Sequence, residues 1–179
     1  MSTMEARLPL VYLNPGEMHL SKKPGLVATV LGSCVSVTMF NQRLGTGAIC
    51  HIVLPKCKCK ANCDNDCTKR IHDPENGCRR NCSNAFRYAD CSIFKMMETF
   101  RSLGIDNDEI EVKLFGGSDM FPSDGGKSTA MNVGKQNIES ALQGIELEGL
   151  KLTACDVGGS GGRKILFYTH TGEVFLKRL

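Results

Sequence analysis

Apolar and polar positions alternate along most of this chain, and the period of the alternation names the elements. Residues 17–20 follow the Asn14-Pro15-Gly16 turn and predict a short strand. Residues 26–40 are rich in Val and Thr and predict one strand, or two broken at Gly32. Residues 41–45 form a turn, and residues 47–54 the returning strand, which Pro55 ends. In residues 110–115, Ile110, Val112 and Leu114 alternate with Glu111 and Lys113, as in a half-buried strand. Residues 150–156 predict a further strand, and residues 164–170 and 173–177 a hairpin around Thr171-Gly172.

Two segments carry the helical period instead. In residues 89–103, Ile93, Met96, Met97, Phe100 and Leu103 share one face, with Asp90 as the expected N-cap and Gly104 as the stop. In residues 132–143, Val133, Ile138, Ala141 and Leu142 are apolar, with Gly144 as the stop. Strands outnumber helices and often follow one another directly, which predicts an α+β class of layered mixed and antiparallel sheets flanked by helices. The organisation expected is one domain over residues 1–179, with an insertion at about 56–85. That insertion has Ile71 as its only large aliphatic residue and cannot build a core.

Composition narrows the function classes. Hydrophobic residues make up 41%, which excludes a disordered composition. The net charge is +3, Trp is absent and the basic residues are dispersed, so no nucleic-acid partner is expected. No run is long enough to cross a bilayer, and residues 1–10 lack a secretory pattern, so no membrane insertion and a cytoplasmic location are expected.

The ten cysteines pose two problems. Cys57, Cys59, Cys63, Cys67, Cys78 and Cys82 crowd into the polar insertion, with His72 among them. Four thiolates, or three with His72, suit tetrahedral zinc, and an iron–sulfur cluster is the other candidate. The same spacing fits a loop with incidental or oxidisable thiols. Cys34 stands apart, in Gly32-Ser33-Cys34 at the expected strand break, where exposed backbone N–H groups could hold a developing oxyanion. His51 follows on the returning strand, the best placed of four histidines to act as its base. Directly opposed residues in such a hairpin have Cβ atoms roughly 5 Å apart. Spacing alone leaves Cys34 open between a nucleophile and a small buried hydrophobe. The loop Gly158-Gly159-Ser160-Gly161-Gly162 lacks the Lys-Ser/Thr ending of a P-loop.

Taken together, Thr29-Val30-Leu31-Gly32-Ser33-Cys34-Val35 and Gly47-Ala48-Ile49-Cys50-His51-Ile52-Val53-Leu54-Pro55 resemble the CheD family. Tyr88-Ala89-Asp90, Gly116-Gly117-Ser118-Asp119-Met120-Phe121, Asn132-Val133-Gly134-Lys135-Gln136-Asn137, Asp156-Val157-Gly158-Gly159 and Gly162-Arg163-Lys164 match in the same order. The resemblance covers nearly the whole chain except the insertion. It implies a glutamine deamidase acting on methyl-accepting chemotaxis receptors, on a fold similar to cytotoxic necrotising factor toxins. It implies Cys34 as nucleophile, His51 as base and acid, and Thr29 as third residue, although some members carry that threonine at the position of Ala28. No cofactor is required. It also implies a CheC-type phosphatase as partner, with residues 116–121 and the helix near Val133 contributing to the docking face. Two other readings stand beside it: a CheC-binding regulatory module with little catalysis, and a metal or redox sensor built on the insertion.

Overall fold

The computed structural model describes residues 8–57, 84–119 and 133–179. Five strands form one sheet in the order β2 (Met18–Ser21), β5 (Thr46–Ile52), β4 (Val35–Asn41), β6 (Ile110–Gly116), β7 (Leu152–Val157). Four strands form a second, in the order β1 (Leu10–Tyr12), β3 (Leu26–Leu31), β8 (Arg163–Tyr168), β9 (Val174–Arg178). Pairing is antiparallel except between β1 and β3 and between β6 and β7. The helices are α1 (Ala89–Ser102) and α2 (Val133–Leu147). This is the expected α+β layout of mixed sheets with flanking helices. No helix among the described residues is long and apolar enough to cross a membrane.

Two cores follow from strand alternation. On one face of the five-stranded sheet, Val35, Val37, Met39, Cys50, Ile52, Val112 and Leu114 pack against Ile93, Met96, Met97, Phe100, Ala141 and Ile145 of the helices. On the other, Ile49 and Phe115 meet Val27, Leu31, Ile165 and Phe167 of the second sheet. Central β4 therefore has both faces covered, and all seven of its residues are buried. Each large apolar side chain so buried contributes about 1.5–3 kcal/mol.

The segment 26–40 is two strands, and the break at Gly32 does more than bend it: β3 and β4 belong to different sheets. Strand β1 was not expected, because three residues show no period and gain their place only by pairing with β3. Asp90 is not the N-cap of α1. Tyr88 takes that position without a side-chain cap, and Asp90 lies buried in the first turn. There its carboxylate accepts from the N–H groups of Cys57 (3.2 Å) and Cys91 (2.9 Å). Gly144 does not stop α2, which runs on to Leu147. It is the point of close approach to α1: a Cβ there would lie 2.9 Å from Ile93 Cδ1.

Candidate active site

Gly32, Ser33 and Cys34 link the two sheets, and their carbonyls are each held by a different group. The Gly32 oxygen accepts from the Ser118 N–H at 2.8 Å, and the Cys34 oxygen from the Gly117 N–H at 2.7 Å. The Ser33 oxygen accepts from Asn137 Nδ2 at 3.0 Å. Gly116 permits this approach. Its φ is +104°, and a Cβ there would collide with the Cys34 carbonyl oxygen. With the three carbonyls occupied, the N–H groups of Ser33 and Cys34 donate to no backbone acceptor among the described residues.

His51 sits on β5, one residue out of step with Cys50 and Ile52, so its ring enters the space between the sheets. Its backbone is fixed at both ends: its N–H donates to the Glu17 oxygen at 2.9 Å, and its oxygen accepts from the Gly16 N–H at 2.8 Å. The residue directly opposite His51 is Ser36, not Cys34. Cys34 lies two positions earlier, in the link just before β4 and outside the ladder, and His51 Nε2 makes no hydrogen bond to it. Cys34 packs half-buried against the inter-sheet core.

Thr29 reaches His51 from the other sheet. Thr29 Oγ1 lies 2.8 Å from His51 Nδ1 and 2.9 Å from the Leu13 carbonyl oxygen. A hydroxyl has one hydrogen, and a carbonyl can only accept. Thr29 therefore donates to Leu13 and accepts from Nδ1–H of His51. That assigns the tautomer and leaves Nε2 with a free lone pair. Nε2 is buried and has no hydrogen-bond partner among the described residues. Neighbouring Ala28 belongs to the opposite face of β3, so a threonine there would turn its hydroxyl away from His51.

Burial sets the charge state of the pair. It pushes the Cys34 thiol above its ordinary 9.0 and the His51 imidazole below 6.5. For His51 the Leu13 carbonyl and the Glu17 carboxylate act in the opposite direction, with smaller effect. Burial thus favours the neutral thiol at Cys34 and the neutral imidazole at His51. Such an arrangement passes a proton from sulfur to Nε2 as the sulfur attacks an electrophilic carbon.

A second group joins the two sheets, from the same face of β8 as Ile165 and Phe167. The Arg163 guanidinium is buried and donates to Asp156 Oδ1 (2.7 Å), Ser118 Oγ (2.9 Å) and the Gly158 oxygen. The glycine-rich loop also accepts from the Asp119 N–H at 2.7 Å, through Gly159. That loop is a clamp on residues 116–119, a use its composition did not disclose.

Of the insertion cysteines, Cys57 is described and half-buried, with a free thiol. Cys59, Cys63, Cys67, Cys78 and Cys82 lie outside the described residues, as do His72, Met120 and Phe121. Among the described residues, no three His, Cys, Asp or Glu side chains gather as metal ligands. The insertion's two ends are tied together. Leu54 pairs with Tyr88, and the N–H groups of Val53 and Leu54 donate to the Arg87 oxygen at 3.0 and 2.8 Å.

A family model described as CheD chemotactic sensory transduction matches residues 73–178. The chain belongs to the CheD family. A CheD relative from Geobacter sulfurreducens, described as "Probable chemoreceptor glutamine deamidase CheD 2", is 47% identical over the whole chain and 96% of its own length. One from Maridesulfovibrio salexigens, "Probable chemoreceptor glutamine deamidase CheD", is 39% identical over 94% of the chain and 91% of its own length. A third with the same description, from Pseudomonas savastanoi, is 32% identical over 93% and 83%. The family-model match begins after His51, whereas the Geobacter CheD aligns across Thr29, Cys34 and His51 as well.

Proposed function

We propose that this chain deamidates glutamine side chains of chemoreceptors, with Cys34 as nucleophile, His51 as base and then acid, and Thr29 as the group that orients His51. The supporting observation is the free Nε2 of His51, its tautomer held by Thr29 across the two sheets. The names of the CheD relatives supply the substrate class.

The steps balance without a cofactor. Cys34 sulfur bonds to the glutamine Cδ as its proton passes to His51 Nε2, and the carbonyl π electrons move onto oxygen. The Cys34 and Ser33 N–H groups receive that oxyanion. The C–N bond breaks as imidazolium protonates the departing nitrogen, releasing ammonia. Water, losing a proton to His51, attacks the thioester; the C–S bond breaks and the proton returns to sulfur. The sum is glutamine plus water giving glutamate plus ammonia.

Mass spectrometry of a receptor cytoplasmic fragment tests the reading. The expected result is a gain of about one mass unit at particular glutamines, absent with Cys34→Ala, as an activated thiol requires. Unchanged mass across several receptors would sink it. The receptors' cytoplasmic portion is where modification is expected, so the chain acts in the cytoplasm. A CheC-type phosphatase as docking partner is part of the same proposal; absence of binding by calorimetry would remove it. An accessory zinc or iron–sulfur site in the insertion is carried by cysteine spacing alone. Metal analysis of the protein, before and after changing the six insertion cysteines to serine, decides it.

A further inference from the structure

Asn137 lies on α2, and the reaction above does not use it. Its side chain is fully buried. Nδ2 donates two hydrogen bonds of 3.0 Å, one to the Ser33 oxygen and one to the Val53 oxygen. Those acceptors flank the chemistry on both sides. Ser33 immediately precedes Cys34, and Val53 follows His51 by two residues. The two carbonyls identify this end of the amide as the NH2 group, since an oxygen there would face two acceptors. Oδ1 is buried without a hydrogen-bond partner among the described residues. The side chain thus commits both donors to two loop ends and leaves its acceptor unpaired, an arrangement that calls for an explanation.

The peptide group supplies one. All peptide bonds among the described residues are trans. In a planar trans peptide the C=O and N–H point in opposite directions. Whatever fixes the Ser33 carbonyl therefore fixes the Cys34 N–H. The Gly32 carbonyl, held by Ser118, fixes the Ser33 N–H in the same way. We propose that Asn137 is a positioning residue for the deamidation: by anchoring the Ser33 carbonyl to the end of the His51 strand, it aims the Cys34 N–H at the oxyanion and sets it relative to His51. This rests on the function proposed above. Asn137 touches no reacting atom. Its role is to keep one donor in place while charge develops on the substrate oxygen, which is when a preorganised donor counts.

The test compares wild type with Asn137→Ala, Asn137→Ser and Asn137→Asp. Removing an oxyanion donor costs about 10²–10³ in kcat, and a misaimed donor should cost less, about 10–100-fold. The expected result for folded Asn137→Ala is that loss in kcat, with KM within about two-fold, since substrate contacts are untouched. The rate of Cys34 alkylation by iodoacetamide should stay within about three-fold, since the thiol itself is intact. Asn137→Ser keeps one donor and should fall between. Asn137→Asp should lose activity relative to wild type increasingly as pH rises and its carboxyl loses the proton it could donate. A folded Asn137→Ala with wild-type kcat overturns the proposal. So does a kcat loss matched by equal loss of alkylation rate, which is the signature of a generally loosened site.

A measurement on the unaltered protein covers the case in which every variant fails to fold. An aldehyde analogue of glutamine adds to the Cys34 thiol: S–C forms as the S–H proton passes to His51 Nε2, the C=O π electrons move onto oxygen, and that oxygen takes the oxyanion position. The backbone amide proton of Cys34 should then move downfield in the NMR spectrum, and an unmoved resonance overturns the proposal. Wild type that deamidates no receptor, yet shows that shift, would defeat the functional reading alone, and the same shift diminished in Asn137→Ser would still assign the placing of the donor to Asn137.

Discussion

The Thr29 hydroxyl carries one hydrogen, and its placement is enough to choose which nitrogen of His51 is basic. Thr29→Val keeps the branched shape and removes the acceptor of Nδ1–H, so kcat should fall about 10–100-fold as the ring loses its orientation, while Thr29→Ser retains most activity. Steady-state kinetics on a receptor fragment distinguishes the two variants. The pH dependence follows from burial. The folded value of His51 lies below 6.5, so the fold favours the neutral ring. Its contribution to stability is complete above pH 6.5 and is lost as pH falls through the folded value. Cys34 is the reverse: its value is raised above 9.0, and its contribution holds below that and is lost as pH rises through the folded value. Activity should share the acid limb, with kcat/KM level through neutrality and a midpoint below pH 6.5. A midpoint above 6.5 would mean that the imidazole is stabilised as a cation.

Elements place these residues, and the joints matter more than the spans. Strand β6 ends on Gly116, where a positive φ and the contact with the Cys34 carbonyl coincide. Gly116→Ala should therefore destabilise the protein by about 1–3 kcal/mol for the backbone alone, and further for the displaced link at Cys34. Urea unfolding measures the first, and loss of activity in the folded fraction the second. The apolar period of α1 was legible because four of its five marked side chains, Ile93, Met96, Met97 and Phe100, are wholly buried. Its N-terminus was not, because Asp90 binds the N–H of Cys57, distant in sequence. Gly144 misled for a related reason. A stop signal and a packing notch call for the same residue, and only the neighbouring Ile93 tells them apart.

Across the whole molecule, it is the stacking of two sheets that assembles the candidate site. His51 comes with the five-stranded sheet, Thr29 with the four-stranded one, Cys34 with the link between them, and α2 supplies Asn137 from the far side. Arg163 of β8 binds Asp156 of β7 and so ties one sheet to the other at the glycine-rich loop. Its side chain is 3% exposed, whereas Asp156 is 28% exposed and also bonded to Arg178. Arg163→Met should cost about 2–4 kcal/mol, somewhat less than a fully buried pair, because Asp156 keeps water and a second cation while Ser118 and Gly158 lose a donor. Thermal and chemical unfolding check this, and a change under about 1 kcal/mol would show that the tie carries little.

Legible in the sequence were the period of each long element, the α+β class, the polar composition of residues 56–85 and the placing of Cys34 and His51 at the two arms of one hairpin. These are local properties, written in alternation, in turn residues and in the short separation between two adjacent strands. It also marked Thr29 through the family resemblance, but not why the hydroxyl must be there and not at position 28. Tertiary structure decided that Gly32 divides two sheets, that Ser36 rather than Cys34 stands opposite His51, and that Thr29 fixes the imidazole tautomer. It decided also that Asn137, 104 residues beyond Ser33 in the chain, holds the carbonyl of the peptide before Cys34. The physical reason is the same in each case. A hydrogen bond between elements depends on which faces meet when the layers close, and no period within one element carries that information.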